Sequence, residues 1–133
     1  MRETIESAVL KVLDTWMAAF NRLDIIVWEK TFHFPHYRLA SGNMRILNEP
    51  GEQDVERIKT NLTARGWHHS GWDKRNMVHV SEAKVHVDTQ FTRYRADGSV
   101  IASYESLYVL TYEEGRWASN YDPVSRRKIQ RKN

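Results

Sequence analysis

Hydrophobic residues in the first part of the chain recur with the period of a helix. They are three or four residues apart over 5–20, which places them on one face. Glu3 and Glu6 lie where negative charge favours the start of a helix. A first amphipathic helix is therefore predicted over 5–20, with an apolar face of Ile5, Val9, Val12, Trp16 and Phe20.

Two further helices and a hairpin are predicted before residue 67. Asp24 can cap a second helix that ends near Phe32, because Pro35 disfavours helical geometry in the residue before it. The polar residues 41–43 between short apolar runs indicate a hairpin. A third helix is predicted between Pro50-Gly51 and Gly66, which fit its start and its end.

From Trp67 onward the hydrophobic period becomes alternating, which is typical of strands. Asp97-Gly98 and Glu114-Gly115 are signals for tight hairpin turns. Turns at these two positions fix the register, so that Phe91 lies opposite Tyr104. Helices followed by a long meander predict an α+β fold, with the helices on one face of an antiparallel sheet.

The predicted register separates two faces of this sheet. One face is aromatic and apolar, and it includes Val87, Phe91, Tyr104 and Tyr108. Alternation alone predicts that this face packs on the helices and that the other meets water. The other face is mixed, and it carries His86, Asp88, Gln90, Glu105, Leu107 and Asn120.

The composition limits the classes of protein to which the chain can belong. With 133 residues and 41% hydrophobic residues, the chain predicts one domain over 1–124 and a basic, disordered tail over 125–133. The absence of cysteine excludes disulfides and thiolate chemistry. No apolar run is long enough for a membrane span or a signal, which predicts a cytoplasmic location. The tail carries five basic and no acidic residues and so accounts for the net positive charge, but without a recognition motif a nucleic-acid partner is not predicted.

The chain resembles the NTF2-like superfamily, and within it the SnoaL-like group of small α+β domains. The resemblance covers about 5–122 and rests on TWMAAFNRLDIIVWEKTF, FPHYRLASG, ARGWHHSGWD and KVHVDTQFTRYRADGSVIASYESLYVLTYEEGRW. It implies a cone in which three N-terminal helices pack on a strongly curved antiparallel sheet of mixed strand order, with a pocket between them. The same cone serves isomerases, dehydratases, hydrolases and binding modules, so it does not fix a reaction.

Matching the meander to that of ketosteroid isomerase places the mixed face inside the cone, against the prediction from alternation. We adopt the resemblance, since an exposed aromatic face needs a partner surface. It implies a homodimer that buries Tyr104, Tyr108 and Tyr121. Functional positions of the isomerase are occupied here by Trp16 and Leu107, so steroid isomerisation is not predicted.

With the mixed face inside, Asp88 and Glu105 become candidate catalytic groups. Desolvation would raise the pKa of either carboxyl and suit it to general acid or base work. His69 is a candidate proton shuttle. Solvated carboxylates on an open face are the alternative. The predicted ligand-binding residues are Trp16, Phe20, Tyr37, Trp67, His86, Gln90, Leu107 and Asn120.

The histidines do not predict a metal site. Pro35 interrupts the segment between His33 and His36. His68 and His69 are adjacent in a strand and are expected to point to opposite faces. No metal and no cofactor is therefore predicted.

Three functions follow from these observations. The first is binding of a small, largely apolar molecule in the conical pocket. The second is a cofactor-independent isomerase, dehydratase or cyclase that uses a pocket carboxylate. The third is a non-catalytic dimerisation or interaction module, which a cone too full for a ligand would favour.

Overall fold

Three helices and two short strands precede the long meander, as the hydrophobic periods predict. The computed structural model describes residues 3–40, 43–121 and 124–126. The helices are α1 (Ile5–Asn21), α2 (Ile25–Glu29) and α3 (Val55–Thr63). The strands are β1 (Phe32–Ala40), β2 (Asn43–Leu47), β3 (Trp67–Val80), β4 (Lys84–Arg95), β5 (Val100–Glu113), β6 (Arg116–Tyr121) and β7 (Val124–Arg126).

The strands form one curved, mixed sheet. Their order is β2-β1-β6-β5-β4-β3, and β7 pairs with both β1 and β5. The pairings of β1 with β6 and with β7 are parallel, whereas the hairpins are antiparallel. The predicted α+β class, with helices on a curved sheet of mixed order, is confirmed.

The predicted register of the first long hairpin is confirmed, although its turn differs. Phe91 lies opposite Tyr104, as expected. Arg95 N donates to Ser99 O at 2.8 Å across a turn one residue longer than a two-residue loop. A bulge after Arg93 compensates for the extra residue, so the register along the rest of β4 is unchanged. At the second turn Glu114 and Gly115 have φ of 55° and 76°, which a tight hairpin turn requires. In the second hairpin a register shift between Val109 and Leu110 places Tyr121 opposite Val109, one residue away from the predicted pairing.

The choice of sheet face made from the resemblance is wrong. The aromatic face lies beneath the helices, because alternate residues of β4 and β5 such as Val87 and Tyr108 are fully buried. This arrangement removes the larger apolar area from water, as alternation alone predicts. The mixed face lies on the outside of the cone and carries Asp88, Gln90, Glu105 and Leu107.

The predicted dimer interface is therefore wrong for two of its three tyrosines. Tyr104 is 9% exposed and Tyr108 is fully buried, both against the helices of the same chain. Tyr121 is half-buried at the end of β6. A second copy has no access to Tyr104 or Tyr108 unless the helices separate from the sheet.

Helix α1 packs on the concave face of the sheet through Trp16, which lies at the centre of the contact. The Trp16 ring stacks on Phe20 at 5.5 Å and meets the rings of Phe91 at 6.1 Å and Tyr108 at 6.0 Å. At the end of the helix, the Asn21 amide donates to Ser70 O at 2.9 Å, and its oxygen accepts from Ser70 N at 2.8 Å. These contacts fix α1 across β3, β4 and β5.

Two helix boundaries differ from the prediction. Helix α2 ends at Glu29 rather than near Phe32, because Thr31 O accepts from Ser119 N and the chain enters β1. Helix α3 begins at Val55, after the Asp54 side chain caps it by accepting from Arg57 N. Among the described residues, every helix is too short or too polar to span a membrane.

The end of the described chain adds a strand to the sheet. Strand β7 pairs with β5 through Tyr104 and Ser106, and it includes two residues of the segment expected to be a disordered tail, Ser125 and Arg126. The remaining part of that prediction, 127–133, lies outside the described residues. The extent of the domain, 1–124, stays a prediction.

The two leucines of β5 give a direct test of the face assignment. Leu110 is fully buried and Leu107 is 37% exposed. We expect Leu110→Ala to lower the free energy of unfolding by about 2–5 kcal/mol. The matched control Leu107→Ala should lower it by less than about 1 kcal/mol. Urea denaturation measures both, and the opposite order would place the mixed face inside.

Candidate functional site

The interior of the cone, between the helices and the concave face of the sheet, is filled with aromatic rings. A void of about 10 Å³ remains beside Phe20, Trp28 and Ile58, where α3 meets α1 and α2. Such a volume holds about one water molecule. The rings that fill the interior are Trp16, Phe20, Trp28, Phe32, Trp67, Trp72, Phe91, Tyr104 and Tyr108.

A single arginine enters this aromatic interior from the sheet. The guanidinium carbon of Arg93 is 4.6 Å from the centre of the Tyr104 ring, 5.9 Å from Phe91 and 6.0 Å from Phe20. Within the described part of the chain no carboxylate forms an ion pair with Arg93, and its buried Nε has no hydrogen-bond partner. Cation–π contacts offset only part of the cost of removing this charge from water.

The surroundings of Arg93 disfavour its charge. Burial is the largest cause that lowers the pKa of Arg93 from its ordinary value, and the nearby charge of Arg65 lowers it further. Tyr104 acts in the opposite direction. Since the pKa of an arginine is ordinarily so high, the guanidinium is still a cation at neutral pH.

Two indole groups of the same aromatic interior are also without partners. The buried Nε1 atoms of Trp16 and Trp28 have no hydrogen-bond acceptor among the described residues. The rings of both tryptophans contact Phe20, at 5.5 and 5.2 Å, and Arg93 approaches Phe20 from the sheet. We call Trp16, Trp28 and Arg93 the donor cluster. Each member presents an N–H. The Tyr104 side chain hydrogen-bonds to Arg93, but Nε of Arg93 and the two indole nitrogens have no acceptor among the described residues.

A second guanidinium, that of Arg38, lies against two other rings of the interior, Trp28 and Phe32. The guanidinium carbon of Arg38 is 5.0 Å from the centre of the Trp28 ring, and its Nη1 donates to Gln53 Oε1 at 3.2 Å. Gln53 Nε2 in turn donates to the buried Glu29 at 3.1 Å. Glu29 also accepts from Gly51 N at 2.9 Å, so this network ties the turn before α3 to α2 and β1.

Three of the ligand-binding residues predicted from the sequence lie in the cone interior. Trp16 and Phe20 are buried on α1. Trp67 contacts Phe20 at 5.7 Å between ring centres, and its Nε1 donates to Ser70 Oγ at 2.9 Å. Their placement agrees with the prediction, but their role in binding stays a prediction.

The carboxylates predicted to face the pocket lie on the outside of the sheet. Asp88 pairs with Lys74 at 2.9 Å, with both side chains about half exposed. Gln90 Nε2 donates to Asp73 at 3.1 Å. Glu105 is exposed. The desolvation on which the acid–base argument depends is therefore absent for Asp88 and Glu105, because both lie at strand positions on the outer face of the sheet.

The other predicted site residues also lie outside the cone interior. The ring of His69 stacks on Tyr94 at 5.1 Å, and that of His86 lies 5.1 Å from His79. Partial burial, together with the charges of Lys84 and His79, lowers the pKa of His86. The remaining three are Tyr37 and Leu107, which are exposed, and Asn120, which is half-buried and donates to Glu113.

The expectation that His68 and His69 point to opposite faces is wrong. A register shift after Trp67 breaks the alternation, and the two Nδ1 atoms lie 3.0 Å apart. His33 and His36 are buried and lie within hydrogen-bond distance of backbone carbonyl oxygens. Across 3–40, 43–121 and 124–126, no three His, Asp or Glu side chains come together as metal ligands.

The sequence contains a signal for Arg93 in the alternation of β4. Arg93 has the same strand parity as Val85, Val87 and Phe91, so it continues the apolar series of β4. An arginine in such a series lies on the buried face if the series does. Adopting the opposite face left Arg93 outside the predicted site.

Comparison of the sequence with known protein families gives a match over most of the chain. The profile of the family described as NTF2-like protein (DUF6841) matches residues 5–118. No curated protein matches the sequence. The chain is thus related to proteins defined by this fold rather than by an assigned activity.

Solved structures with the same fold share little sequence with this chain. An NTF-2 like protein of unknown function from Shewanella oneidensis MR-1 superposes with a TM-score of 0.73 at 14% identity, over 92% of this chain and 99% of that one. A ketosteroid isomerase-like protein from Erwinia carotovora atroseptica SCRI1043 gives 0.67 at 18%, over 92% and 95%. A putative calcium/calmodulin dependent protein kinase II association domain from Xanthomonas campestris gives 0.68 at 16%, over 94% and 89%. At these identities the likeness shows the fold alone.

Replacing Arg93 by methionine tests whether its charge serves stability. Methionine keeps much of the packing volume and removes an enclosed charge that no carboxylate offsets. We expect Arg93→Met to leave the free energy of unfolding unchanged or to raise it by about 1 kcal/mol. Thermal and urea denaturation, without added ligand, measure the change.

Arg116 provides the matched control for this substitution. Its guanidinium donates to Lys30 O at 2.7 Å and to Phe32 O at 2.8 Å. Arg116→Met should lower the free energy of unfolding by about 1–3 kcal/mol, because hydrogen bonds to a charged group are lost. A loss at Arg93 as large as that at Arg116 would mean that Arg93 serves the fold.

Proposed function

The chain belongs to the NTF2-like family DUF6841, and we propose that within this fold it binds a small molecule with an aromatic body and an anionic group in the cone interior. The donor cluster carries this proposal. Buried N–H groups without acceptors are uncommon in folded proteins, and Arg93 adds a half-buried cation that has no carboxylate partner in the described chain. An anionic ligand supplies both missing partners.

The chemistry of the donor cluster selects the polar part of the ligand. Arg93 offers a planar guanidinium that matches a carboxylate, and a hydrogen bond between two charged groups is stronger than one between neutral groups. The indole N–H groups of Trp16 and Trp28 donate and cannot accept. Neutral or cationic head groups would leave the Arg93 charge uncompensated, so a carboxylate is the group that fits best.

The walls of the interior select the rest of the ligand. Phe20 meets Trp16 in a stacked geometry and Trp67 edge-on, and Phe91 stacks on Tyr104. A flat apolar body can insert among such rings by the same stacked and edge-to-face contacts. The ligand class proposed is therefore an aryl carboxylate.

The void beside Phe20 is too small for such a ligand, and a cone this full also favours a non-catalytic interaction module. Binding in the cone therefore depends on movement of helix α3. Only Leu62 of this helix is buried, while Val55 and Ile58 are half-buried. A helix held by so few buried contacts opens at a smaller cost in free energy than the sheet. Outward movement of α3 would enlarge the void at the side where the donor cluster lies.

Binding is a better supported function than catalysis for this chain. The carboxylates considered for acid–base chemistry, Asp88 and Glu105, lie on the outer face, away from the donor cluster. The sequence-based predictions of a SnoaL-like subgroup, a homodimer and a cytoplasmic location stay predictions beside this proposal. If the chain is an enzyme, the reacting groups have to come from the cone interior.

The proposal is tested with 2-naphthoate and its neutral analogue 2-naphthamide. Titration calorimetry and quenching of tryptophan fluorescence report binding beside Trp16 and Trp28. We expect 2-naphthoate to bind and 2-naphthamide to bind at least tenfold more weakly. Arg93→Gln should weaken 2-naphthoate by roughly 10- to 100-fold, since a hydrogen bond to a charged group contributes about 1.5–3 kcal/mol.

Two further variants keep this test decisive. Arg93→Lys retains the charge and should keep part of the affinity for 2-naphthoate. Arg45→Gln removes an exposed arginine of β2 and should bind like the wild type. Equal binding of acid and amide, or an Arg93→Gln variant that is folded by circular dichroism and binds like the wild type, would contradict the proposal.

A further inference from the structure

A second cavity lies outside the cone, where α2, the start of β1 and the turn before α3 meet. Its volume is about 680 Å³, within the range of small-molecule sites. It is separate from the donor cluster, because none of the residues of that cluster lines it. We call it the outer cavity, and its lining residues are Ile25, Ile26, Glu29, Lys30, Phe34, Pro50, Gly51 and Arg116.

One wall of the outer cavity is apolar and accessible. Ile26 is 69% exposed, which is unusual for an isoleucine on a short helix that also has a buried face. Ile25 and Phe34 are half-buried beside it, and Pro50 faces them from the turn. Together these side chains form a concave apolar surface that an aliphatic chain can cover.

The polar lining of the outer cavity has a net positive charge. The Glu29 carboxylate already accepts from Gly51 N and Gln53 Nε2, so both its oxygens are occupied. Lys30 and Arg116 form no ion pair with a carboxylate of the described chain. Arg116 donates to two backbone carbonyls, which hold it in place without cancelling its charge.

We propose that the outer cavity binds an aliphatic monocarboxylate, with its head group at Lys30 and Arg116 and its chain on the wall formed by Ile25, Ile26, Phe34 and Pro50. Arg116 is held by its two backbone acceptors, Lys30 is exposed, and both line the same cavity as the apolar wall, which is the arrangement that an amphipathic anion matches. The preformed hydrogen bonds of Arg116 and Glu29 mean that little of the site has to be ordered on binding. This site is independent of the one proposed in the cone.

The inference is tested by titrating the full chain with octanoate, followed by amide chemical shifts and calorimetry. Octanoate should shift the amides of 25–30 and of Gly51 and bind at least tenfold more tightly than octanamide or butyrate. Lys30→Gln and, independently, Ile26→Ser should each weaken octanoate by about tenfold. Both residues are exposed, so neither change threatens the fold. The control Lys59→Gln, at an exposed lysine of α3, should bind like the wild type.

Three outcomes would overturn the inference. Equal affinity for octanamide and octanoate would show that the charge of the head group is not recognised. Wild-type affinity for octanoate in both Lys30→Gln and Ile26→Ser would show that the outer cavity is not the binding site. Shifts centred on Trp16 and Phe20 that disappear in Arg93→Gln would assign octanoate to the cone. The reverse pattern, with 2-naphthoate failing and octanoate binding, would contradict the cone proposal and leave the outer cavity supported.

Discussion

The structure depends on the packing of α1 against the aromatic face of the sheet, with Trp16 at the centre. Its ring lies within about 6 Å of five others, from α1, α2, β3, β4 and β5. Aromatic pairs at such distances contribute beyond the area they bury. Because one side chain joins two helices to three strands, the face that alternation places under α1 determines the orientation of the whole sheet.

This packing also determines where a ligand can bind. A cone filled by rings has no space for a large apolar molecule, so the interior is specific through its few polar groups. Nε of Arg93 and the indole nitrogens of Trp16 and Trp28 are three N–H donors for which the described chain supplies no acceptor. Proteins keep such groups at a cost in stability when function requires them. The same closure leaves the larger cavity outside, beside Glu29 and Arg116.

Local sequence patterns predicted most of the fold. Helix α1, the β1–β2 hairpin and the pairing of Phe91 with Tyr104 follow from periodicity and turn residues, which act over short distances. The end of α2 was missed because it depends on a hydrogen bond between Thr31 and Ser119, far apart in sequence. The sheet face that lies beneath the helices was predicted wrongly, because the resemblance to a distant relative was given more weight than burial of the larger apolar area.

The candidate site was predictable only in part. Trp16 and Phe20 follow from the helical period, since the face of α1 that they share must be buried. Arg93 follows from strand parity once the buried face is known. The lack of a carboxylate partner for Arg93 does not follow from strand parity, because ion pairing depends on which side chains the folded chain brings near it. Glu29 and Gln53 meet only when the turn before α3 closes on α2.

The central claim is that the Arg93 guanidinium packs against the rings of Tyr104, Phe91 and Phe20 and binds the anionic group of a ligand there. The most direct measurement is the Nε–Hε resonance of Arg93 by NMR, assigned from its absence in Arg93→Gln. Because the guanidinium lies 4.6 Å from the centre of the Tyr104 ring, the account predicts an upfield ring-current shift in the free protein. Addition of 2-naphthoate should then move it downfield as the bond to the carboxylate forms. A resonance at the position of an exposed arginine, unmoved by saturating 2-naphthoate, would contradict the account.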